Sequence, residues 1–444
     1  MAAIDAPAAT TAAAPSFGEA LKVWFKIGCI NFGGPAGQIA LMHRILVDER
    51  KWIDEPRFLH ALNYCMLLPG PEAMQLATYV GWLLHRTAGG LVAGLLFVLP
   101  GALVMLGLSF LYVLARGVAV VDGALFGIKA AVLVIVVEAL IRIGRRGLKS
   151  FVLIGLAAAA FIGIFFCNVP FPVIVIGAGL IGFFVARASP QQLGIKEVQV
   201  ALSGTHADRW RQAAKALAVW LPIWWAPVGI AALALGSDHV LVQIGVFFSK
   251  LAVVTFGGAY ALLAYMAQAV VESYGWLKPG EMVDGLGLAE TTPGPLILVT
   301  QFVGFIASFR NAAPFDPIVG AVLGAAMTTW TTFAPCFLFI FVGAPFVEQL
   351  RGNRQLAGAL AAITAAVVGV ILNLAVWFAL HVLFHQVTEM HAGPLRWFAV
   401  EGLDATAAVL AAIAAALVFG LHLGLIQTIA IMAALGIAVR FLLG

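Results

Sequence analysis

Charge is scarce in this 444-residue chain: Asp, Glu, Lys and Arg together make up 10% of it, against 62% hydrophobic residues. Water-soluble domains carry roughly 25% charged residues, so this composition, with a mean hydropathy of +1.03, excludes a globule in water. Cysteine is scarcer still. Cys29, Cys65, Cys167 and Cys336 are scattered among apolar neighbours without a C-x-x-C pair, which excludes a disulfide framework and a cysteine metal knot. There is no G-x-x-x-x-G-K-[ST] phosphate loop, no nucleophile elbow and no H-E-x-x-H helix. ATP-driven work by this chain and enzymatic chemistry are therefore not expected, and neither is a cofactor. His381 and His385 stand four apart with His391 nearby, but no acidic or cysteine ligand is in register, so they read as interfacial histidines and no metal is expected. Residues 1–16 contain no Lys or Arg and read as a short disordered tail, not a signal peptide.

What is present is apolar sequence in lengths near the ~20 residues needed to cross a bilayer. Such stretches recur at 91–115, 124–143, 151–166, 173–186, 216–236, 320–343, 356–383, 405–420 and 426–443. The fold class expected is an all-α polytopic membrane protein. The chain also repeats itself. Phe32-Gly33-Gly34 returns 224 positions later as Phe256-Gly257-Gly258, and at the same offset Lys26 returns as Lys250, Trp52 as Trp276 and Pro69-Gly70-Pro71 as Pro293-Gly294-Pro295. After a small insertion the register resumes at an offset of 235, with Pro100 facing Pro335, Lys129 facing Thr364 and Glu138 facing Asn373. A period of this size means two related halves. They are expected at 17–187 and 240–444, separated by a polar linker at 188–215 and one connecting helix at 216–236. That single extra crossing would turn the second half upside down.

Charge placement agrees with inversion. With the N-terminus cytoplasmic, one side receives Arg44, Arg50, Lys51, Arg57, Arg86, Arg142, Arg145, Arg146, Lys149, Arg187, Lys196, Arg209, Arg211, Lys215, Arg351 and Arg354. The other receives only Arg116, Lys278, Arg310, Arg396 and Arg440, as the positive-inside rule requires. Two stretches per half are interrupted: 17–47 at Phe32-Gly33-Gly34-Pro35 and 58–84 at Pro69-Gly70-Pro71. Their limbs of about 12–16 residues are too short to span, and Gly and Pro break helices. Each reads as a re-entrant hairpin whose tip lies at mid-membrane, where irregular backbone survives only if buried or lining a cavity.

Broken helices at the midplane of inverted repeats are the usual address of a transporter's substrate. Helix N-termini there offer unpaired N–H groups and partial positive charge, which suits an anion. Four such ends would follow Gly34, Gly70, Gly258 and Gly294; the alternative is that these runs only kink packed helices. Lys26 and Lys250, set inside apolar segments, are candidates for a pair of cations facing a divalent anion, or else they snorkel to an interface as Lys22 is expected to do. Glu72 and Glu290, beside the Pro-Gly-Pro runs, are candidates for proton coupling; for Glu72 the alternative is N-terminal capping. Glu138 is expected to pair with Lys129 or Arg142. Asn31, Gln38, Asn63, Gln75 and Thr78 gather near the first breaks, and Thr255, Thr291, Thr292, Thr300, Gln301 and the threonines at 328, 329, 331 and 332 near the second. They are donors for an oxyanion, or else they satisfy carbonyls freed by the prolines. With Gly33, Gly257 and Gly258 these complete the candidate substrate site.

Phe32-Gly33-Gly34-Pro35 with Gln38, Trp52, Leu68-Pro69-Gly70-Pro71 with Gln75, and Phe97-Val98-Leu99-Pro100-Gly101 resemble the chromate ion transporter family. So do Thr255-Phe256-Gly257-Gly258, Trp276 and Thr292-Pro293-Gly294-Pro295. The resemblance covers nearly the whole chain and matches the family's long two-domain form. It implies a bacterial inner-membrane carrier that expels chromate, driven by membrane potential or a proton gradient, and that confers chromate resistance; sulfate, an equally tetrahedral dianion, is an alternative cargo. The second Gly-Gly is followed by Ala259 where the first is followed by Pro35, so the two tips are not equivalent. An oxyanion channel and a non-transporting membrane scaffold subunit stand as rival readings. The partners expected are the anion and the lipid bilayer, with homodimerisation left open and nucleic acid not expected.

Overall fold

A computed structural model of the chain describes residues 15–189, 193, 206–256, 259–346, 353–393 and 395–443. The first half runs α1 (Phe17–Ile30), α2 (Gly34–His43, extended by a π turn, Arg44–Glu49), α3 (Glu55–Cys65), α4 (Glu72–Leu114), α5 (Ala119–Gly147), α6 (Phe151–Phe165) and α7 (Phe171–Ala188). Helix α8 (His206–Leu235) connects the halves. The second runs α9 (Val240–Val254), α10 (Ala259–Gln268, again extended by a π turn, Ala269–Ser273), α11 (Pro279–Thr291), a 3₁₀ turn (Leu296–Leu298), α12 (Val299–Arg310), α13 (Pro317–Gly343) and α14 (Arg354–Leu383). It closes with β1 (Phe384–Ala392), β2 (Leu395–Leu403), α15 (Ala405–Ala415) and α16 (Leu425–Leu443). The order of elements in the second half follows that of the first, with α12 and α13 in place of the bent α4 and an added β-hairpin before α15.

Among the described residues seven helices are long and apolar enough to cross a membrane: 72–114, 119–147, 171–188, 210–235, 317–343, 354–383 and 425–442. The chain is an all-α polytopic membrane protein apart from one antiparallel hairpin, β1–β2, paired from Phe384–Leu403 to Ala392–Leu395. That hairpin occupies 384–403, which reads as a plain loop in the sequence. The outer surface carries large apolar side chains such as Leu103, Phe151, Ile176 and Leu233, the pattern of a protein whose solvent is hydrocarbon. The expected tail falls on residues outside those described up to Ala14, and so does most of the expected linker; Lys196 and Arg351 lie there too. The last part of that linker is helical, since α8 already begins at His206.

The interruptions fall where Gly and Pro place them. α1 stops at Ile30 and α2 starts at Gly34, and α3 stops at Cys65 while α4 starts at Glu72. α4 itself is two helices joined at His85–Arg86, where Arg86 has φ 54°. Gly81 and Gly89 permit that corner, because a Cβ on Gly81 would sit 2.4 Å from the Gly89 carbonyl oxygen.

In lipid, helices associate through close packing of small residues and not through the hydrophobic effect. α1 lies on α4 with Gly28 against the Leu96 carbonyl, where a Cβ would come within 1.9 Å. The corresponding α9 lies on α13. The long helices are exchanged: α5 of the first half packs on α15 and α16 of the second, and α14 of the second packs on α6 and α7 of the first. Gly127 meets the Met432 carbonyl and Gly369 the Ala157 carbonyl at these seams. Neither half encloses its own core.

Candidate functional site

The hairpin tips of the two halves meet and hydrogen-bond reciprocally. Gly70 N–H donates to the Thr255 carbonyl (2.9 Å), and Gly294 N–H donates to the Asn31 carbonyl (3.2 Å). Gly70 and Gly294 are 224 apart, as are Asn31 and Thr255, so the two bonds are one contact made twice. Both glycines hold left-handed backbone, φ 115° and 100°, which other L-residues adopt only at a cost. A Cβ on Gly70 would touch Cys336 Sγ at 3.3 Å, and one on Gly294 would touch Gly101 Cα at 3.6 Å; Gly101 and Cys336 are related by the second offset, 235.

Four helix starts converge at this crossing. Pro35 and Gln38 of α2, Pro71, Glu72 and Ala73 of α4, Ala259 of α10, and Pro295, Leu296 and Ile297 of the 3₁₀ turn line one cavity of about 10 Å³. That is room for about one water. Elsewhere Ser16, Asp54, Ser150, Asp316, Asn353 and Asp404 cap the helices that follow them. The starts of α2, α4 and the 3₁₀ turn have no side-chain cap, and neither do those of α5 and α7, which do not line the crossing. Their N–H groups are left for backbone, water or an anion. Gly257 and Gly258, which precede α10, lie outside the described residues.

The polar side chains around the breaks have backbone partners. Asn31 Nδ2 donates to the Phe97 carbonyl (3.2 Å), Gln38 Nε2 to Asn31 (3.1 Å) and Gly294 (2.5 Å), and Gln75 Nε2 to Pro69 (2.6 Å). Thr255, Thr292 and Thr300 hydroxyls donate to Leu251, Ala289 and Ile297. These bonds occupy their donors with backbone carbonyls. The oxygens Asn31 Oδ1, Gln75 Oε1 and Gln301 Oε1 are buried without a partner, so the crossing also presents acceptors.

A cavity of about 630 Å³ opens beside the crossing, walled by Gly33, Gly34, Pro35, Ala40, His43, Arg44 and Asp48 of α2 and its π turn, Phe58 of α3, Glu72, Arg142 and Arg146 of α5, and Ala259 and Tyr260 of α10. Four basic side chains against Asp48 and Glu72 make it a positive vestibule, and low-dielectric walls strengthen its field. His43 lies at the mouth, and its hydrogen bond to Glu55 holds its pKa above the usual histidine range, helped by the charges of Glu55 and Asp48. No hydrogen bond or ion pair engages Arg142 or Arg146 among the described residues. Behind the wall the Tyr260 hydroxyl donates to Glu290 Oε1 (3.0 Å), and the charges of Arg142 and Glu138 act on that carboxylate.

The sequence-derived cations are elsewhere. Lys26 and Lys250 are both exposed on the outside of their helices, neither lines this vestibule or the crossing, and no ion pair engages them among the described residues. Lys26 shares its face with Lys22, one turn earlier, while Val23, Trp24 and Ile27 fill the buried face. Lys129 does not pair with Glu138: its Nζ lies 3.1 Å from Asp284 Oδ1 on α11, and Asp284 Oδ2 accepts from the Tyr112 hydroxyl (2.9 Å). Next to it Glu281 is held by Arg116 (3.2 Å) and Arg310 (2.7 Å). Asp284 and Glu281 bind α11 to the first half, and sequence reasoning passed over both. Arg142, expected in the sequence as a cytoplasmic charge or a partner for Glu138, lines the vestibule instead.

The chain matches the family described as chromate transporter over residues 18–183 and 242–438. It is 33% identical over 377 residues to the chromate transport protein of Pseudomonas aeruginosa (82% of each chain). It is 28% identical to that of Cupriavidus metallidurans (80% of each). It is 26% identical to a probable chromate transport protein of Synechococcus elongatus (80% of this chain, 83% of the relative). No solved structure matches it.

Proposed function

This chain belongs to the chromate transporter family, and from that premise we propose that it is a secondary carrier exporting chromate, or a related dianion such as sulfate, across the bacterial inner membrane with its N-terminus in the cytoplasm. The observation that carries the reading is the positive vestibule ending at uncapped helix starts. Arg142 and Arg146 draw the dianion in, and the N–H groups at the starts of α2, α4 and the 3₁₀ turn replace its water at the crossing. The basic end of α5, with Arg142, Arg145 and Arg146, lies beside the vestibule, and the positive-inside rule supports a cytoplasmic mouth there. A charge moving across a membrane gains about 2.3 kcal/mol per 100 mV, so a dianion leaving an inside-negative cell gains about 4.6 kcal/mol per 100 mV. Membrane potential alone then suffices for export, and Glu72 and Glu290, near the crossing, are the groups that would add a proton.

A crossing with room for about one water is narrower than an open channel needs, which favours the carrier. The test is labelled chromate flux in proteoliposomes. A carrier saturates, is inhibited by sulfate and exchanges internal for external anion; flux rising linearly with concentration would instead mean a channel. Absence of flux in folded protein would mean another cargo or the scaffold reading.

A further inference from the structure

The open vestibule has a counterpart. A second cavity, of about 10 Å³, is lined by Ala264, Gln268, Glu272, Asn373, Trp377 and Arg396. Ala264, Gln268 and Glu272 stand 224 positions after Ala40, Arg44 and Asp48, which line the open cavity, and Trp377 stands 235 after Arg142, which lines it too. Corresponding positions on these elements thus border about 630 Å³ in one half and about 10 Å³ in the other. α10 packs along α14, whereas the cavity separates α2 from α5.

What holds the small cavity shut has no counterpart in the first half. Arg396, 3% exposed, is carried on β2, and between α5 and α6 there is only the short link at 148–150. Its Nη1 reaches Glu272 Oε2 at the end of α10 (3.4 Å) and Glu389 on β1 (3.3 Å). Nε and Nη2 donate to the carbonyls of Phe165 and Ile164 (2.9 Å each), and its backbone N–H donates to Phe166 (2.8 Å). The hairpin thus ties α10 to the end of α6. Gln268 adds a hydrogen bond to Asn168 in the α6–α7 link.

We propose that the small cavity is the outward vestibule in its closed state and that Arg396 is the latch that keeps it closed. In the outward-open state the Arg396–Glu272 pair breaks, α10 leaves α14, and α2 closes on α5, so that the halves exchange conformations. The inference rests on the carrier reading, since only a carrier needs two mouths that are never open together. Removing one partner of a buried ion pair is strongly unfavourable for the state that contains it. Loss of Arg396 therefore shifts the population toward outward-open.

The experiment is cysteine accessibility in a background lacking the four native cysteines, with a membrane-impermeant thiol reagent applied from either face of sealed vesicles and no substrate present. Ala40→Cys, exposed in the open vestibule, labels from the face of the basic loops, and Ala264→Cys, 2% exposed, is protected. On adding Arg396→Gln or Glu272→Gln, Ala264→Cys labels from the opposite face about tenfold faster and Ala40→Cys slows. Arg396→Lys, which keeps a cation facing Glu272 and Glu389, retains protection and guards against a simple folding defect. A disulfide between Gln268→Cys and Asn168→Cys stops flux until reduced. Protection of Ala264→Cys unchanged in both single variants, or flux unaffected by the disulfide, overturns the latch. Because labelling needs no cargo, a responsive latch without chromate flux would reject the cargo alone, and chromate flux with an unresponsive latch would reject the latch alone.

Discussion

At the scale of single residues, the helix face separates cations that line the vestibule, such as Arg142 and Arg146, from those that do not, such as Lys26 and Lys250. Lys26 and Lys250 share one register in the repeat and stand out in the sequence as intramembrane cations, but both lie on the outer face of helices whose other face is filled by packing. Lys26→Gln with Lys250→Gln is therefore expected to leave the half-saturating chromate concentration within about twofold of wild type. Arg142→Gln or Arg146→Gln is expected to raise it about tenfold each, the worth of one charge-assisted contact. Initial-rate flux measurements separate the two cases. The same residues show what was legible. Gly70 and Gly294 announced themselves because a Pro-Gly-Pro run has few structural uses. Asp284 did not, because the fact that makes it expensive, burial against Lys129 and Tyr112, is a long-range one. Gly70→Ala and Gly294→Ala are expected to cost about 1–2 kcal/mol each in backbone strain alone and to abolish transport while protein still reaches the membrane; full flux in either would show that the tips do not meet as described. His43 gives a pH dependence. Its pKa is raised by Glu55, so its positive charge and its contribution to stability are fully present below about pH 6.5 and are lost as pH rises through the elevated value. Chromate affinity should fall over that rise, and His43→Gln should flatten the fall.

At the scale of elements, the breaks were readable and the exchange of partners was not. Gly and Pro mark where a helix must stop, and the starts of α2 and α4 fall directly after the runs at 32–35 and 69–71. Which helix each limb meets depends on glycines whose neighbours are hundreds of residues away. Gly127→Leu should test the exchanged packing: its side chain would begin 1.8 Å from the Met432 carbonyl, forcing α5 off α16. Detergent-extracted protein is expected to melt well below wild type or fail to accumulate, whereas Gly155→Leu, with nothing within 4 Å, is tolerated. Equal melting of the two variants would contradict the seam. The β-hairpin was missed because its length and polarity suit a loop between helices. Its signal was present in Val387 and Thr388 on one side of Gly393 and Trp397, Phe398 and Val400 on the other, β-formers flanking a turn.

At the scale of the whole molecule, duplication explains both the symmetry and its violation. The two halves make the same contact twice, Gly70 to Thr255 and Gly294 to Asn31, yet the cavities at corresponding positions differ, about 630 Å³ against about 10 Å³. A pair of near-identical units held in different conformations is the arrangement expected of a device with two states. In the proposed mechanism the open cavity delivers a dianion to the crossing, and its charge is moved across the membrane. The most direct measurement is chromate flux in proteoliposomes under an imposed potential, wild type against Arg142→Gln/Arg146→Gln. Saturable flux that accelerates when the vestibule side is made negative, and that in the double variant survives only at high chromate, is the predicted result. Flux indifferent to potential, or unchanged in the double variant, would contradict it.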